Sequence, residues 1–199
     1  MIAEMAMVDR VYGLDVTKPI ILIFGGSRGA NRINQAVVDA YPELVTRDYQ
    51  VIFATGETHY ETISAQLDTI ATLKNNPHFV VKPYIHDMIE VLRHTSTIVS
   101  RSGATTIAEI TVLGIPSILI PSPNVTEDHQ TKNAMSLVNN QAAILLKEDQ
   151  LSGESLLAQM DYLMYNPSTR QAMGERALEL GEPYATDQLI QVMLDEMKK

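Results

Sequence analysis

The first readable pattern along the chain is Ile20-Ile21-Leu22-Ile23-Phe24. A continuous apolar, β-branched run of this length predicts a strand covered on both faces. From Ala30 to Val45 the apolar residues Ile33, Ala36, Val37, Ala40 and Leu44 recur at helical spacing. The alternation then repeats. Val51-Ile52-Phe53-Ala54 predicts a strand closed by Gly56, and a helix over about 57–73 is broken by Asn75-Asn76-Pro77. Phe79-Val80-Val81 predicts a short strand and 87–94 a short helix. Thr97-Ile98-Val99-Ser100 predicts a strand and 103–113 a helix stopped by Gly114 and Pro116. Ser117-Ile118-Leu119-Ile120 predicts a strand bounded by Pro121 and Pro123, about 127–140 a helix, and Ala143-Ile144-Leu145-Leu146 a last strand. Helices over about 152–165, 167–180 and 184–197 fill the remainder, with Pro167 and Pro183 at starts, where proline is tolerated. Residues 1–18 have no clear period and read as an entry segment or linker ahead of a domain over 19–199.

Six strands alternating with helices imply an α/β fold, a parallel sheet with helices on both faces. Right-handed crossovers make this a Rossmann-like doubly wound domain, in which ligands bind beyond the C-terminal strand ends near the switch point. Function is therefore expected in the loops after residues 24, 55, 82, 100 and 121. The 199 residues, 45% of them hydrophobic, fit one large domain with a substantial core and leave little room for a second.

Charge and composition remove several functions. The formal net charge is −9, and no cluster of Lys and Arg interrupts it, so no nucleic-acid partner is expected. The absence of cysteine excludes disulfides, thiolate metal sites and a cysteine nucleophile. The five histidines have no ligand-like spacing, so no protein-held metal or cofactor is expected. No apolar run reaches the ~18 residues of a membrane span and the first residues do not resemble a secretory signal, which together predict a soluble intracellular chain.

Three segments carry candidate chemistry. The turn Gly25-Gly26-Ser27-Arg28-Gly29 follows the first strand and opens a helix. Glycines there can present backbone N–H groups to a diphosphate without a Cβ in the way, Ser27 can add a hydroxyl and Arg28 a charge. The turn is neither a P-loop nor a strict G-x-G-x-x-G, and a ligand-free tight turn has the same appearance. A G-x-x-x-G of the short-chain dehydrogenase kind would need a Tyr-x-x-x-Lys that the chain lacks. The second segment, Arg101-Ser102-Gly103-Ala104-Thr105-Thr106-Ile107-Ala108-Glu109, opens another helix. Ser102 is expected as its N-cap, the N–H groups of Gly103 to Thr106 face outward at the positive end of the dipole, and Glu109 can accept from a ribose diol. A local helix-start interaction between Thr106 and Glu109 is the alternative. In the third, the proline-stiffened Pro121-Ser122-Pro123 leads into Glu127-Asp128-His129-Gln130-Thr131-Lys132-Asn133. Gln130 and Asn133 suit sugar hydroxyls, although a solvated helix start looks the same. His129 is the one histidine inside a candidate site.

In this order the three segments resemble the C-terminal half of the MurG family, bacterial glycosyltransferases that add N-acetylglucosamine to undecaprenyl-diphosphate-linked muramoyl-pentapeptide. The resemblance runs from about Pro19 to the last helix and rests on Arg101 through Glu109, followed by Glu127-Asp128-His129-Gln130. It implies the C-terminal half of a GT-B architecture, binding UDP-N-acetylglucosamine as donor. Ser27, Ser102 and the backbone near Gly103, Thr105 and Thr106 would contact the diphosphate, with Gly26, Arg28 and Arg101 beside it. The backbone of Ile85 would read the uracil edge, Glu109 the ribose and Gln130 the sugar, with His129 and Thr131 nearby. Thr131 stands where the family has a second glutamine, and Arg28 where it often has Gln. The resemblance further implies an N-terminal acceptor domain as partner. Through that domain the enzyme would reach its undecaprenyl-linked acceptor, general base and peripheral seat on the cytoplasmic face of the cell membrane. A donor-binding subunit that needs a separate partner, and a UDP-N-acetylglucosamine 2-epimerase-like domain, are the other readings of the same residues.

Overall fold

The computed structural model describes residues 8–9, 11–26, 30–71, 76–123 and 128–182. Six strands form one parallel sheet in the order β3-β2-β1-β4-β5-β6: β1 (Ile20–Phe24), β2 (Gln50–Ala54), β3 (Phe79–Lys82), β4 (Thr97–Ser100), β5 (Ser117–Leu119) and β6 (Ala143–Leu145). The helices are α1 (Asn31–Leu44), α2 (Tyr60–Ile70), α3 (Met88–His94), α4 (Ala104–Leu113), α5 (His129–Val138), α6 (Gly153–Met164) and α7 (Pro167–Glu179), with short 3₁₀ turns at Glu57–His59 and Glu148–Gln150. The sheet order is that of a doubly wound Rossmann-like domain, as the alternation of patterns predicts. The expected helix over 184–197, with its apolar positions Leu189, Ile190, Met193, Leu194 and Met197, lies outside the described residues.

All five residues of β1 are buried, and alternate ones face opposite layers. Ile21 and Ile23 join α1, α2 and α6 on one side, through Ile33, Val37, Ile63, Leu67, Leu156 and Met160. Ile20, Leu22 and Phe24 join α3, α4 and α5 on the other, through Leu92, Ile110 and Leu137. A run that is apolar without alternation is thus explained by a sheet sandwiched between two helix layers.

The entry segment behaves differently from its sequence appearance. Val8, Tyr12 and Leu14 are buried and belong to the second layer with Leu22 and Ile85. The Gln50 side chain fixes the segment further: its Oε1 accepts from the Asp15 N–H at 2.8 Å and its Nε2 donates to the Asp15 carbonyl at 2.7 Å. Three buried residues over less than two helical turns are too few to produce a readable period.

Candidate functional site

The switch point of the sheet falls between β1 and β4, which pair directly with Phe24 opposite Ser100. Two of the candidate segments therefore leave the sheet side by side. Gly25-Gly26 follows Phe24, and Arg101-Ser102-Gly103 follows Ser100. In an open α/β sheet this is where a crevice forms and ligands bind. Gly26 has φ of 81°, a backbone conformation that side chains disfavour, and open space surrounds the place a Cβ would occupy. Ser27 and Arg28 lie outside the described residues.

Both helices opening from this point start bare. The first residue before α1 is Ala30, and the N-cap of α4 is Gly103, each without a side-chain cap and without an acidic residue in the first turn. The expected capping role of Ser102 is not what the structure has. Ser102 is fully buried, and its Oγ donates to the Gln130 carbonyl at 2.7 Å. The leading amides of α4, near Thr105 and Thr106, thus have neither a preceding helical turn nor a side-chain cap, the arrangement that suits an anion. α6 opens differently, with a reciprocal Ser152–Ser155 capping box.

The third segment packs against the second. Ser102 holds the backbone of Gln130, and Asn133 Nδ2 donates back to the Ser102 carbonyl at 3.0 Å. Gln130 Oε1 accepts from the Ser122 N–H at 2.9 Å, so its amide orientation is set by the loop after β5. Asp128, immediately before α5, has φ of 55°, a left-handed conformation that aspartate tolerates better than most residues and that turns the chain sharply into the helix. His129 is exposed and Thr131 half-buried in the first turn of α5. Asn133, a sugar candidate from its residue type, is turned inward instead.

Arg101 is also turned inward. It pairs with Glu148, and its Nη1 donates to the carbonyls of Ile120 and Pro121 at 3.1 Å each. The resemblance places it beside the diphosphate, but its guanidinium is committed to the protein. Glu109 is half-buried on α4, and burial pushes its carboxyl above the ordinary range. Ile85 follows β3 with its side chain buried beside Leu22 and Leu92. Among the described residues its amide and carbonyl make no backbone–backbone hydrogen bond. A buried side chain anchors this loop while its peptide groups remain able to pair with a planar heterocycle.

Two residues at these strand ends escape a reading of the sequence. Asn34 is fully buried in the first turn of α1, where its Nδ2 donates to the Thr55 carbonyl at 2.9 Å and ties the helix to the end of β2. A polar residue on the otherwise apolar Ile33-Val37-Ala40 face was its one signal. Glu148 had none, because its partner lies far away along the chain. Among the described residues no group of three His, Cys, Asp or Glu stands where it could hold a metal ion, and no helix is long and apolar enough to cross a membrane.

Comparison with known proteins bears on this arrangement. A model of the glycosyltransferase family 28 C-terminal domain matches residues 20–189. The chain is 50% identical over 182 residues to the UDP-N-acetylglucosamine–N-acetylmuramyl-(pentapeptide) pyrophosphoryl-undecaprenol N-acetylglucosamine transferase of Pediococcus pentosaceus, covering 92% of this chain and 49% of that one. It is 51% identical over 188 residues to the Bacillus subtilis protein of the same name, covering 94% of this chain and 51% of that one. The crystal structure of Acinetobacter baumannii MurG superposes with a TM-score of 0.76 at 26% identity, over 92% of this chain and 54% of that one. The chain spans about half the length of the curated relatives it matches.

Proposed function

The chain belongs to the glycosyltransferase family 28 C-terminal domain family and has the Rossmann-like architecture of the C-terminal half of a GT-B glycosyltransferase; from that premise we propose that it binds UDP-N-acetylglucosamine as the donor of an inverting transferase. The full reaction is the conversion of undecaprenyl-diphosphate-muramoylpentapeptide (lipid I) to lipid II in peptidoglycan synthesis. The observation that carries the reading is the pair of uncapped helix starts, α1 and α4, leaving adjacent strands at the switch point.

In this reading the diphosphate lies across the two starts. The amides from Gly103 to Thr106 and the turn at Gly26 face it, with Ser27 and Arg28 in that same turn. The Ile85 peptide pairs with the uracil edge, Glu109 accepts from the ribose diol, and Gln130 reaches the sugar. When the acceptor hydroxyl attacks the anomeric carbon, that C–O bond forms as the bond to the diphosphate breaks, and negative charge grows on departing UDP. Donors already aimed at that charge lower the barrier without reorganising; deleting one costs about 10²–10³ in rate in well-studied sites. The hydroxyl's proton must go to a general base, which this reading assigns to a second, acceptor-binding domain, together with docking of the enzyme on the cytoplasmic face of the membrane.

Calorimetric titration tests the proposal. UDP-N-acetylglucosamine should bind saturably and more tightly than UDP-glucose, and NAD(H) should not bind. Equal affinities for the two sugars, or binding of NAD(H) alone, would overturn it. With donor and lipid acceptor present, the 199-residue chain should give no turnover until an acceptor domain is supplied. Formation of UDP-N-acetylmannosamine would instead support the epimerase-like reading.

A further inference from the structure

The Arg101–Glu148 pair is nearly enclosed, with side-chain exposures of 13% and 16%. Burying both charges is expensive, and their attraction offsets the cost only when the remaining donors and acceptors are also satisfied. Part of that demand is met through Arg101 Nη1, which donates to the carbonyls of Ile120 and Pro121 at 3.1 Å. Those carbonyls begin the loop that leaves β5. The next residue in that loop, Ser122, donates its N–H to Gln130 Oε1. On the other side, the Glu148 and Leu151 carbonyls accept from Nη2 of Arg32, in the first turn of α1, at 3.4 and 3.5 Å. One buried ion pair therefore joins the ends of β4, β5 and β6, and a second guanidinium joins them to α1.

This chain of contacts ends on the Gln130 amide. With Oε1 held by Ser122, its NH₂ end, which makes no hydrogen bond among the described residues, is the end left to donate. The amides of residues 103–106 and the Ile85 peptide are held by other means: the helix itself and a buried side chain. Loosening the loop after β5 would thus disturb one contact and spare the rest.

We propose that Glu148 is a positioning residue for the sugar end of the donor: by locking Arg101 onto the Ile120 and Pro121 carbonyls it fixes the loop that orients Gln130, and so contributes to preference for the sugar nucleotide over the bare nucleotide. The inference rests on the donor-binding reading above. It concerns a residue that touches no ligand, and it predicts a split between two ligands that differ only in the sugar.

The test titrates UDP and UDP-N-acetylglucosamine separately against the 199-residue chain, Glu148→Gln, and the double variant Arg101→Met/Glu148→Met, with thermal melts of each. In Glu148→Gln the UDP Kd should stay within about twofold while the UDP-N-acetylglucosamine Kd rises about five- to tenfold, the scale of one lost or misaligned hydrogen bond. The double variant leaves no unpaired buried charge, so it should melt above Glu148→Gln yet show the same loss of sugar preference. Unchanged sugar preference in both variants, or parallel loss of both ligands, would overturn the inference. So would a double variant that does not fold, since the pair would then serve the fold rather than the site. If the unaltered chain binds neither ligand, the donor reading itself fails and this inference falls with it; if it binds both equally, there is no sugar preference for Glu148 to support and this inference alone is overturned.

Discussion

Half-buried on α4, Glu109 holds a carboxyl whose titration is raised by burial, because the charged form loses hydration. A carboxyl with a folded-state pKa above its unfolded value contributes stability at acid pH that is lost as pH rises through the raised value. At neutral pH Glu109 therefore works against folding, and Glu109→Gln should raise the melting temperature at pH 7 while leaving it unchanged or lower in acid. Donor binding runs the other way. Ribose hydroxyls donate to the ionised form, so UDP affinity should weaken as pH falls through the raised titration range, and Glu109→Gln should remove that pH dependence along with part of the affinity. Paired melts and titrations across pH check both signs; a Glu109→Gln variant that binds UDP normally would refute the ribose assignment. Ser102 is the second case at this scale. Its hydroxyl was expected at a phosphate, yet it donates to the Gln130 carbonyl from a fully buried position. Ser102→Ala removes one fully buried hydrogen bond to a carbonyl that keeps its own helical partner within α5, and should cost about 1 kcal/mol of stability in denaturant unfolding.

Among the elements, α6 is held close to α1. Its Gly153 backs onto α1 so closely that an added Cβ would stand 2.7 Å from the Asp39 Cβ and 2.8 Å from the Ala40 nitrogen. These are rigid neighbours, so Gly153→Ala must push α6 away from α1 and should cost about 1–3 kcal/mol. The capping box just before it supplies a comparison: Ser152→Ala removes one end contact without moving the helix and should cost about 1 kcal/mol. Denaturant midpoints of the two variants give the order, and a Gly153→Ala chain as stable as Ser152→Ala would show that the close approach is relaxed in solution. The far end of α6 is held by Asp161, which receives Arg47 through two nitrogens at 2.9–3.2 Å and the Tyr49 hydroxyl at 2.9 Å. Burial and donation to that carboxylate push the Tyr49 phenol far above its ordinary range. This anchorage stands where β2 begins, at the N-terminal ends of the strands and so opposite the candidate site, and it fixes α6 without occupying the ligand side.

For the molecule as a whole, the segment ahead of β1 decides how the fold begins. Val8, Tyr12 and Leu14 share one apolar layer with Ile85, and the Lys82 ammonium sits 5.6 Å from the centre of the Tyr12 ring. The segment thus touches the loop proposed to read the base. Leu14→Ala should cost about 2–5 kcal/mol, as for an interior core leucine. A melt equal to that of the unaltered chain would show instead that the segment is a loosely attached linker. Because this layer also holds Ile85, the same substitution should weaken UDP binding through a displaced loop.

Among the described residues the order of strands and helices and their near-boundaries were legible in the sequence, because period, glycine turns and proline stops act over a few neighbouring residues. Ile20–Phe24 read as a strand buried on both faces, and Gly103 to Leu113 as a helix, from local pattern alone. Which strands would be neighbours was not local. The adjacency of β1 and β4, which sets the turn after Phe24 beside the one after Ser100, is a property of the folded sheet. The fates of individual polar groups were decided at the same level. Arg101 has the charge for a phosphate and Ser102 the hydroxyl for a cap, but a residue's type states what it can bond, and only the folded neighbourhood determines what is within reach. Glu148 and the Gln130 carbonyl arrive there from distant parts of the chain, and with them the inward turn of both side chains.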